Sequence, residues 1–328
     1  MAGGRERILR RRIKSIQSTQ KITRAQELIA ASRIAKAQAQ VTAAQPYSDA
    51  ITQVVADLAA GGGPSGSALL AQAEEIRKVA YIVVVGDRGL CGAYNSTVIR
   101  TAERAIAEQQ RLGRDYALVL AGRKAEGYFR YRDYRIEAAF SGFSQQPAFD
   151  DARAIGAAAS ALFVDGDADV VEIVYTKFVS AGAQVVVQER LMPLSRDEIS
   201  GEPTPGHEPP TRAGYEFEPS PEGILDLLLP RYVDSRVYAA LLNAAASEHA
   251  ARQRAMKSAT DNAEDLITSL SRSMNRARQD AITTEIMEIV SGAEALRSGG
   301  GDIRADDLLS DTIEGRDDDL FAARVSDN

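Results

Sequence analysis

Gly86-Asp87-Arg88-Gly89-Leu90-Cys91-Gly92 is the segment that comes closest to a chemical site. It follows the apolar run Val79 to Val85 and precedes a helical stretch, which places it at a strand-to-helix junction. Backbone N–H groups at such a junction can cradle a phosphate, with Asp87 and Arg88 as ligand residues. The spacing is neither GxGxxG nor GxxxxGK(S/T), and no ribose-binding acid follows about 20 residues on. A tight turn whose Asp and Arg pair with neighbouring structure is the simpler reading. Cys91 could be a nucleophile at a helix N-terminus. Neither histidine, His207 nor His249, lies in the central region to activate it, so a small buried thiol is expected instead. Asp165, Asp167 and Asp169 alternate as in a Ca²⁺ loop, but the required Gly and Glu are not at their positions. With one cysteine and two unrelated histidines, no metal centre, disulfide or thiolate cluster is expected. The expectation is no catalytic residue, no cofactor and no metal.

A second chemical candidate is charge. Residues 1–40 hold ten Lys/Arg against two Asp/Glu, a net of +8, whereas 297–328 carry a net of −5 in a chain of −7 overall. Arg10, Arg11, Arg12 and Lys14 could sit on nucleic-acid phosphates. No aromatic residue interleaves them to stack bases, and the apolar face lacks the Trp and Phe of a membrane-surface helix. A solvated or protein-facing basic face is expected, with no nucleic acid. The apolar run Ile155 to Val164 is about half the roughly 20 residues of a membrane span. Arg5 and Arg7 with no apolar core behind them do not read as a secretory leader. A soluble protein of a reducing compartment is expected.

The elements that must position these residues fall into two kinds. Arg5 to Gln45 contains neither Gly nor Pro and reads as one helix of about 60 Å. Pro46 is expected to bend or interrupt it before it resumes over Tyr47 to Leu58. Arg231 to Ser291 reads as a helix of roughly 90 Å. Both exceed the usual globular length, which favours a coiled coil. The seams are sparse: Leu9, Ile13 and Ile16 give way to Gln20 and Thr23, and the tail offers Val237, Leu241, Ala244, Ala251, Ala255 and Ala259. Such a pair buries little area and would gain from a surrounding sleeve. Between the helices, a strand over Val79 to Val85 leads an alternation. Helix Asn95 to Arg111, strand Tyr116 to Leu120, helix Arg123 to Tyr131, a short strand near Ile136 and helix Asp150 to Phe163 follow. Strands Val170 to Phe178 and Gln184 to Arg190 close it as a possible hairpin. This is an α/β pattern, a mainly parallel sheet covered by helices.

Gln20-Lys21-Ile22-Thr23-Arg24-Ala25, then Ala30-Ala31-Ser32, resembles the head of the gamma subunits of F-type ATP synthases. Gly86 to Gly92 is similar to that family's Asp-Arg-Gly-Leu-Cys-Gly segment. The tail resembles its signature at Ser247-Glu248, Ala250-Ala251-Arg252, Met256-Lys257 and Ala259 to Asn262. It does so again at Asn275 to Gln279 and Ile282-Thr283 through Gly292. The resemblance implies a long antiparallel coiled coil of N- and C-terminal helices plus a Rossmann-like βαβ central domain. It implies a non-catalytic central-stalk rotor, turning inside a ring of three alpha and three beta subunits and coupling proton flow to ATP synthesis while regulating ATPase activity. It divides the chain into a shaft helix (1–60), an α/β domain (67–198), a Pro-rich connection (199–222), a second shaft helix (223–296) and an acidic tail (297–328).

By the same resemblance, Arg278, Gln279 and Thr283 meet a loop of beta, and Lys21 and Arg24 face the acidic lever of beta. Tyr215 and Glu218 meet the membrane c-ring and the epsilon subunit. The implied location is peripheral, on the cytoplasmic face of a bacterial membrane without insertion. Gln26 departs from the family's usual Met, and Gly201 to Arg212 is longer and richer in proline. Asp302 to Asn328 extends past the family's usual end, as a disordered solvating tail or a regulatory strap. A single cysteine excludes a two-cysteine redox switch. The alternative reading is a nucleotide-binding enzyme built on the central sheet.

Overall fold

The computed structural model describes residues 2–60, 69, 73, 75–193 and 221–298. Two long helices open and close the chain: α1 is Ala2–Ala60 and α5 is Pro221–Ser298. Between them come β1 (Lys78–Val84), α2 (Tyr94–Arg111), β2 (Asp115–Ala121), α3 (Arg123–Tyr131) and β3 (Ala138–Phe140). Then follow α4 (Phe149–Val164), β4 (Val170–Phe178) and β5 (Gln184–Met192). The chain divides into two compact units, whose described parts are 2–20 with 261–298, and Lys21–Thr260.

The expected interruption at Pro46 does not occur: α1 continues through it, and α5 likewise continues through Pro230. Both prolines are solvent-exposed, so the carbonyls they orphan can turn to water. The opposite face of α1 carries the reason the helix persists. In the larger unit its buried and half-buried positions, flanked by half-buried Gln26, Ala31, Gln40 and Thr52, include Thr23, Glu27, Ala30, Ile34, Ala37, Val41, Ala44, Ser48, Ile51, Val55 and Leu58. These steps alternate three and four, the heptad of a coiled-coil seam. In the smaller unit Leu9, Ile13, Ile16 and Gln20 keep the same alternation. The seam thus includes the polar positions at which the apolar pattern breaks off in the sequence. Thr23 and Thr260, both buried, hydrogen-bond through their hydroxyls at 2.8 Å. Thr260 Oγ1 also lies within hydrogen-bond reach of the Met256 carbonyl oxygen, at 2.9 Å.

In the larger unit the two helices run antiparallel. Thr23 meets Thr260, while Ile51, Val55 and Leu58 share a core with Leu229, Tyr232, Val233 and Val237. The α5 seam follows the expected positions at Val237, Leu241 and Ala244, which are buried, and departs from them further on. Ala251, Ala255 and Ala259 are only half-buried, whereas Ala250, Arg252, Met256 and Thr260 are buried. The row Arg252, Met256, Thr260 lies one residue, about 100°, further round the helix than the alanine row. In the smaller unit Ile13, Ala263, Ala277 and Ala281 are buried.

The sheet has the order β3-β2-β1-β4-β5, with β1, β2, β3 and β4 parallel and β5 antiparallel to β4. β1 alternates strictly between two cores. Ala80, Ile82 and Val84 face the side of α4, α5 and the end of α1, and Val79, Tyr81 and Val83 face α2 and α3. Burial on both faces is why this strand reads as an unbroken apolar run. The short strand expected near Ile136 begins two residues later, at Ala138.

Candidate functional site

From β1 the chain moves outward to β2 and β3, then crosses back so that β4 pairs on the other side of β1. The crevice at the C-terminal ends of β1 and β4 is where an open α/β sheet commonly takes its ligand. Here α5 fills it. Glu248 is fully buried against the β1–α2 turn, and a Cβ placed on Gly86 would lie 2.9 Å from its Cδ. Glycine at that position is what admits the carboxylate. Arg252, one helical turn on, closes a 2.5 Å ion pair with Glu248 and donates to the Gly89 carbonyl at 3.3 Å.

More contacts fix α5 to the same edge of the sheet. Tyr94 Oη donates to the Ala244 carbonyl (3.1 Å), Ser247 Oγ to the Thr176 carbonyl (3.1 Å), and the Phe178 N–H to Asn243 Oδ1 (3.2 Å). Arg254 Nη1 donates to the carbonyls of Ala181 (2.9 Å) and Gly182 (3.0 Å), gripping the β4–β5 turn. The helix is therefore hydrogen-bonded to the first turn of α2, the end of β4 and the hairpin turn.

The first two N–H groups of the turn are already committed. The Gly86 N–H is taken by Asn95 Oδ1 (2.8 Å) and the Asp87 N–H by Ser144 Oγ (3.0 Å). The Asp87 carboxylate accepts backbone N–H groups of Arg123 (3.0 Å), Gly142 (2.9 Å) and Ser144 (3.1 Å), which ties together the loops that follow β1, β2 and β3. Gly122 permits this closeness: it has φ +108°, and a Cβ there would meet the Val85 carbonyl oxygen at 2.2 Å. Cys91 is buried, and burial pushes its thiol pKa up, away from a reactive thiolate. His249 Nε2 donates to the Gln145 backbone oxygen at 3.1 Å, and burial lowers its pKa from 6.5. Asp169 is likewise committed, accepting the N–H groups of Arg77 (2.7 Å) and Lys78 (2.8 Å).

The sequence-derived contact residues lie on open helix faces. Lys21 is exposed, and Arg24 is exposed with a 3.1 Å ion pair to Glu27. Arg278, Gln279 and Thr283 are exposed on α5 and share a sector of about 140° around the helix. Ile282 and Ile286 lie in the same sector, away from buried Ala277 and Ala281. From Ile282 to Gly292 every residue of α5 is exposed, including Met287, Ile289 and Val290. Tyr215, Glu218, the 199–220 part of the connection and the tail 302–328 lie outside the described residues.

A family model described as ATP synthase matches residues 5–296. An ATP synthase gamma chain of Frankia casuarinae is 50% identical over 300 residues, covering 90% of this chain and 99% of its own. One from Kineococcus radiotolerans is 48% identical over 301 residues, covering 90% and 98%. The chain belongs to the ATP synthase gamma chain family. Gamma chains are non-catalytic subunits, the central-stalk rotors of F-type ATP synthase. The fold agrees with a chain of the Euglena gracilis mitochondrial ATP synthase (OSCP/F1/c-ring, rotational state 3) at TM-score 0.62 and 18% identity, covering 92% of this chain and 99% of that one. A chain from the Tetrahymena thermophila central stalk and c-ring gives TM-score 0.54 at 23% identity, covering 73% and 99%. Long terminal helices packed together beside a five-stranded sheet are the common architecture. No described helix is long and apolar enough to cross a membrane.

In this gamma chain the plugging of the sheet by α5 is the feature sequence reasoning missed. Its signal was present as Ser247-Glu248-His249, three polar residues in an alanine-rich helix, with Arg252 four residues after Glu248.

Proposed function

We propose that this gamma chain is the rotating shaft that couples proton flow to ATP synthesis, with its bare C-terminal helix end running in a sleeve of alpha and beta subunits. The observation that carries this reading is the end of α5. Ile282, Ile286, Met287, Ile289, Val290 and Leu296 are all more than 40% exposed and span about half of the helix circumference at about 100° per residue. An isolated helix end with an exposed apolar face that wide needs an apolar wall to run against, which alpha and beta subunits around a shaft would supply. On this reading Arg278, Gln279 and Thr283 touch beta, and Lys21 and Arg24 face its acidic lever. The α/β domain (67–198) is the foot, gripped by α5 so that torque passes between sheet and shaft. Tyr215 and Glu218 reach the c-ring and epsilon, and the subunit sits peripherally on the cytoplasmic face. The relatives' names and the central-stalk structures support this assignment.

The test is a reversible disulfide between α5 at Thr283→Cys and a cysteine placed on beta in the assembled enzyme. ATP synthesis and hydrolysis should stop on oxidation and return on reduction. Full coupled turnover in the cross-linked enzyme would reject the rotor reading. The alternative, a nucleotide enzyme on the central sheet, has to contend with Glu248 packed against the turn that would hold the phosphates.

A further inference from the structure

A cleft of about 530 Å³ opens beside the plugged crevice, bounded by α1, the β1–α2 turn and the loop after β3. Arg33, Lys36, Arg88 and Arg123 line it, and Asp87 is its only acidic residue. A second cavity of about 230 Å³ adjoins it through Arg33, Arg88, Gln145 and His249, and adds Arg252 without adding an acid.

Asp87 offsets only one of these four positive charges. Its carboxylate is spent on three backbone N–H groups, and no ion pair within 4.0 Å engages Arg33, Lys36, Arg88 or Arg123 among the described residues. Arg252 has a side chain 7% exposed and an Nη1 with no hydrogen-bond partner. Arg33 is held toward the loop by its hydrogen bond to Gln145 Oε1. Arg252 is neutralised by Glu248, but the cations converging on one concavity from α1 and the turns after β1 and β2 raise the local potential above that of a solvated stripe. Guanidinium forks match tetrahedral oxyanions in two-point geometry. The volume is right for a small multivalent anion, and Phe143 on the wall offers an aromatic edge or face.

We propose that this cleft binds a small oligophosphate, recognised through its phosphoryl oxygens by Arg33, Lys36 and Arg123. Its ligand residues are distinct from Lys21, Arg24, Arg278, Gln279 and Thr283 and do not include the backbone N–H groups of the Gly86 turn. The ligand chemistry is shared by inorganic pyrophosphate and the phosphate tail of a nucleotide.

Isothermal titration calorimetry of the full chain at low salt tests it, with phosphate, pyrophosphate, ATP and a poly-glutamate peptide as titrants. One saturable site is expected, with pyrophosphate tighter than phosphate. Arg33→Gln and Arg123→Gln, both at exposed positions, should each weaken pyrophosphate by roughly ten-fold with circular dichroism unchanged. ATP equal to pyrophosphate identifies the phosphate tail alone as the ligand. ATP at least ten-fold tighter identifies a nucleotide. Absence of binding by every phosphate, unchanged affinity in both variants, or poly-glutamate displacing pyrophosphate at lower concentration would each overturn the proposal. The last result would reassign the cleft to a protein carboxylate.

Discussion

Glu248 is a carboxylate with no solvent exposure, held by one arginine and the absence of a side chain at Gly86. Removing one partner of a buried ion pair strands the other, at a cost of about 3–5 kcal/mol. Arg252→Ala should therefore lower the urea midpoint of the full chain far more than Arg24→Ala. The latter breaks an exposed pair worth about 0–1 kcal/mol. Equal effects would mean that Glu248 escapes to water. Gly86→Ala forces its Cβ onto Glu248 and should cost about 1–3 kcal/mol, read from the same denaturation curve.

His249 adds a pH dependence. It faces Glu248 and Arg252 of α5, Arg33 of α1 and the Gln145 carbonyl, and burial is the largest cause of its lowered pKa. The native state keeps the neutral ring while the unfolded chain takes up a proton below 6.5, so ν_U exceeds ν_N in that window. Its contribution is intact above pH 6.5 and is lost as pH falls toward the native pKa. Urea midpoints should fall on acidification, and His249→Gln should flatten that fall. An unchanged slope would refute it.

At the scale of elements, α1 shows how a seam can be continuous in space and broken in composition. Positions from Thr23 to Leu58 keep heptad spacing, and two threonines pair where a leucine would be expected. Such small interfaces leave no room. Ala30 is fully buried, and Ala30→Leu should overpack the helix pair by about 1–3 kcal/mol. A wild-type midpoint would show that the seam is loose. The grip of α5 on the sheet is similarly local. Arg254→Ala removes two carbonyl contacts to the β4–β5 turn, and hydrogen exchange should speed up at the Val179, Ser180 and Ala183 amides with little change in β1. Unchanged exchange at those amides would show that the turn holds itself.

For the whole molecule, the rotor assignment makes function depend on surfaces that the isolated chain leaves bare. Arg278→Ala with Gln279→Ala should leave the fold of the gamma chain intact, because both are exposed, while reducing assembly or turnover of the reconstituted complex. Unchanged ATPase yield would remove them from the beta contact. Deleting 302–328 should leave assembly intact if that acidic segment only solvates. A changed ratio of ATP hydrolysis to synthesis would mark it as a regulatory strap.

Local chemistry alone determined the element types. Gly- and Pro-free runs rich in alanine could only be long helices, and β1, apolar on both faces, could only be a buried strand. The family was legible for a related reason: its signature residues at both ends survive as short words, because each word is a contiguous stretch of one helix or turn. The tertiary structure decided what lies between such words. Whether Pro46 ends α1 depends on burial of the opposite face, and which of two adjacent rows on α5 is buried depends on the side that the rest of the fold covers. The fate of the Gly86 turn depended on a carboxylate more than 150 residues away. A turn's N–H groups look free until the residues that consume them are brought near. Asn95 was close enough in the chain to suspect, but Ser144 was not, and the same long-range folding packed Glu248 against the turn and gathered Arg33, Arg88 and Arg123 around one cleft.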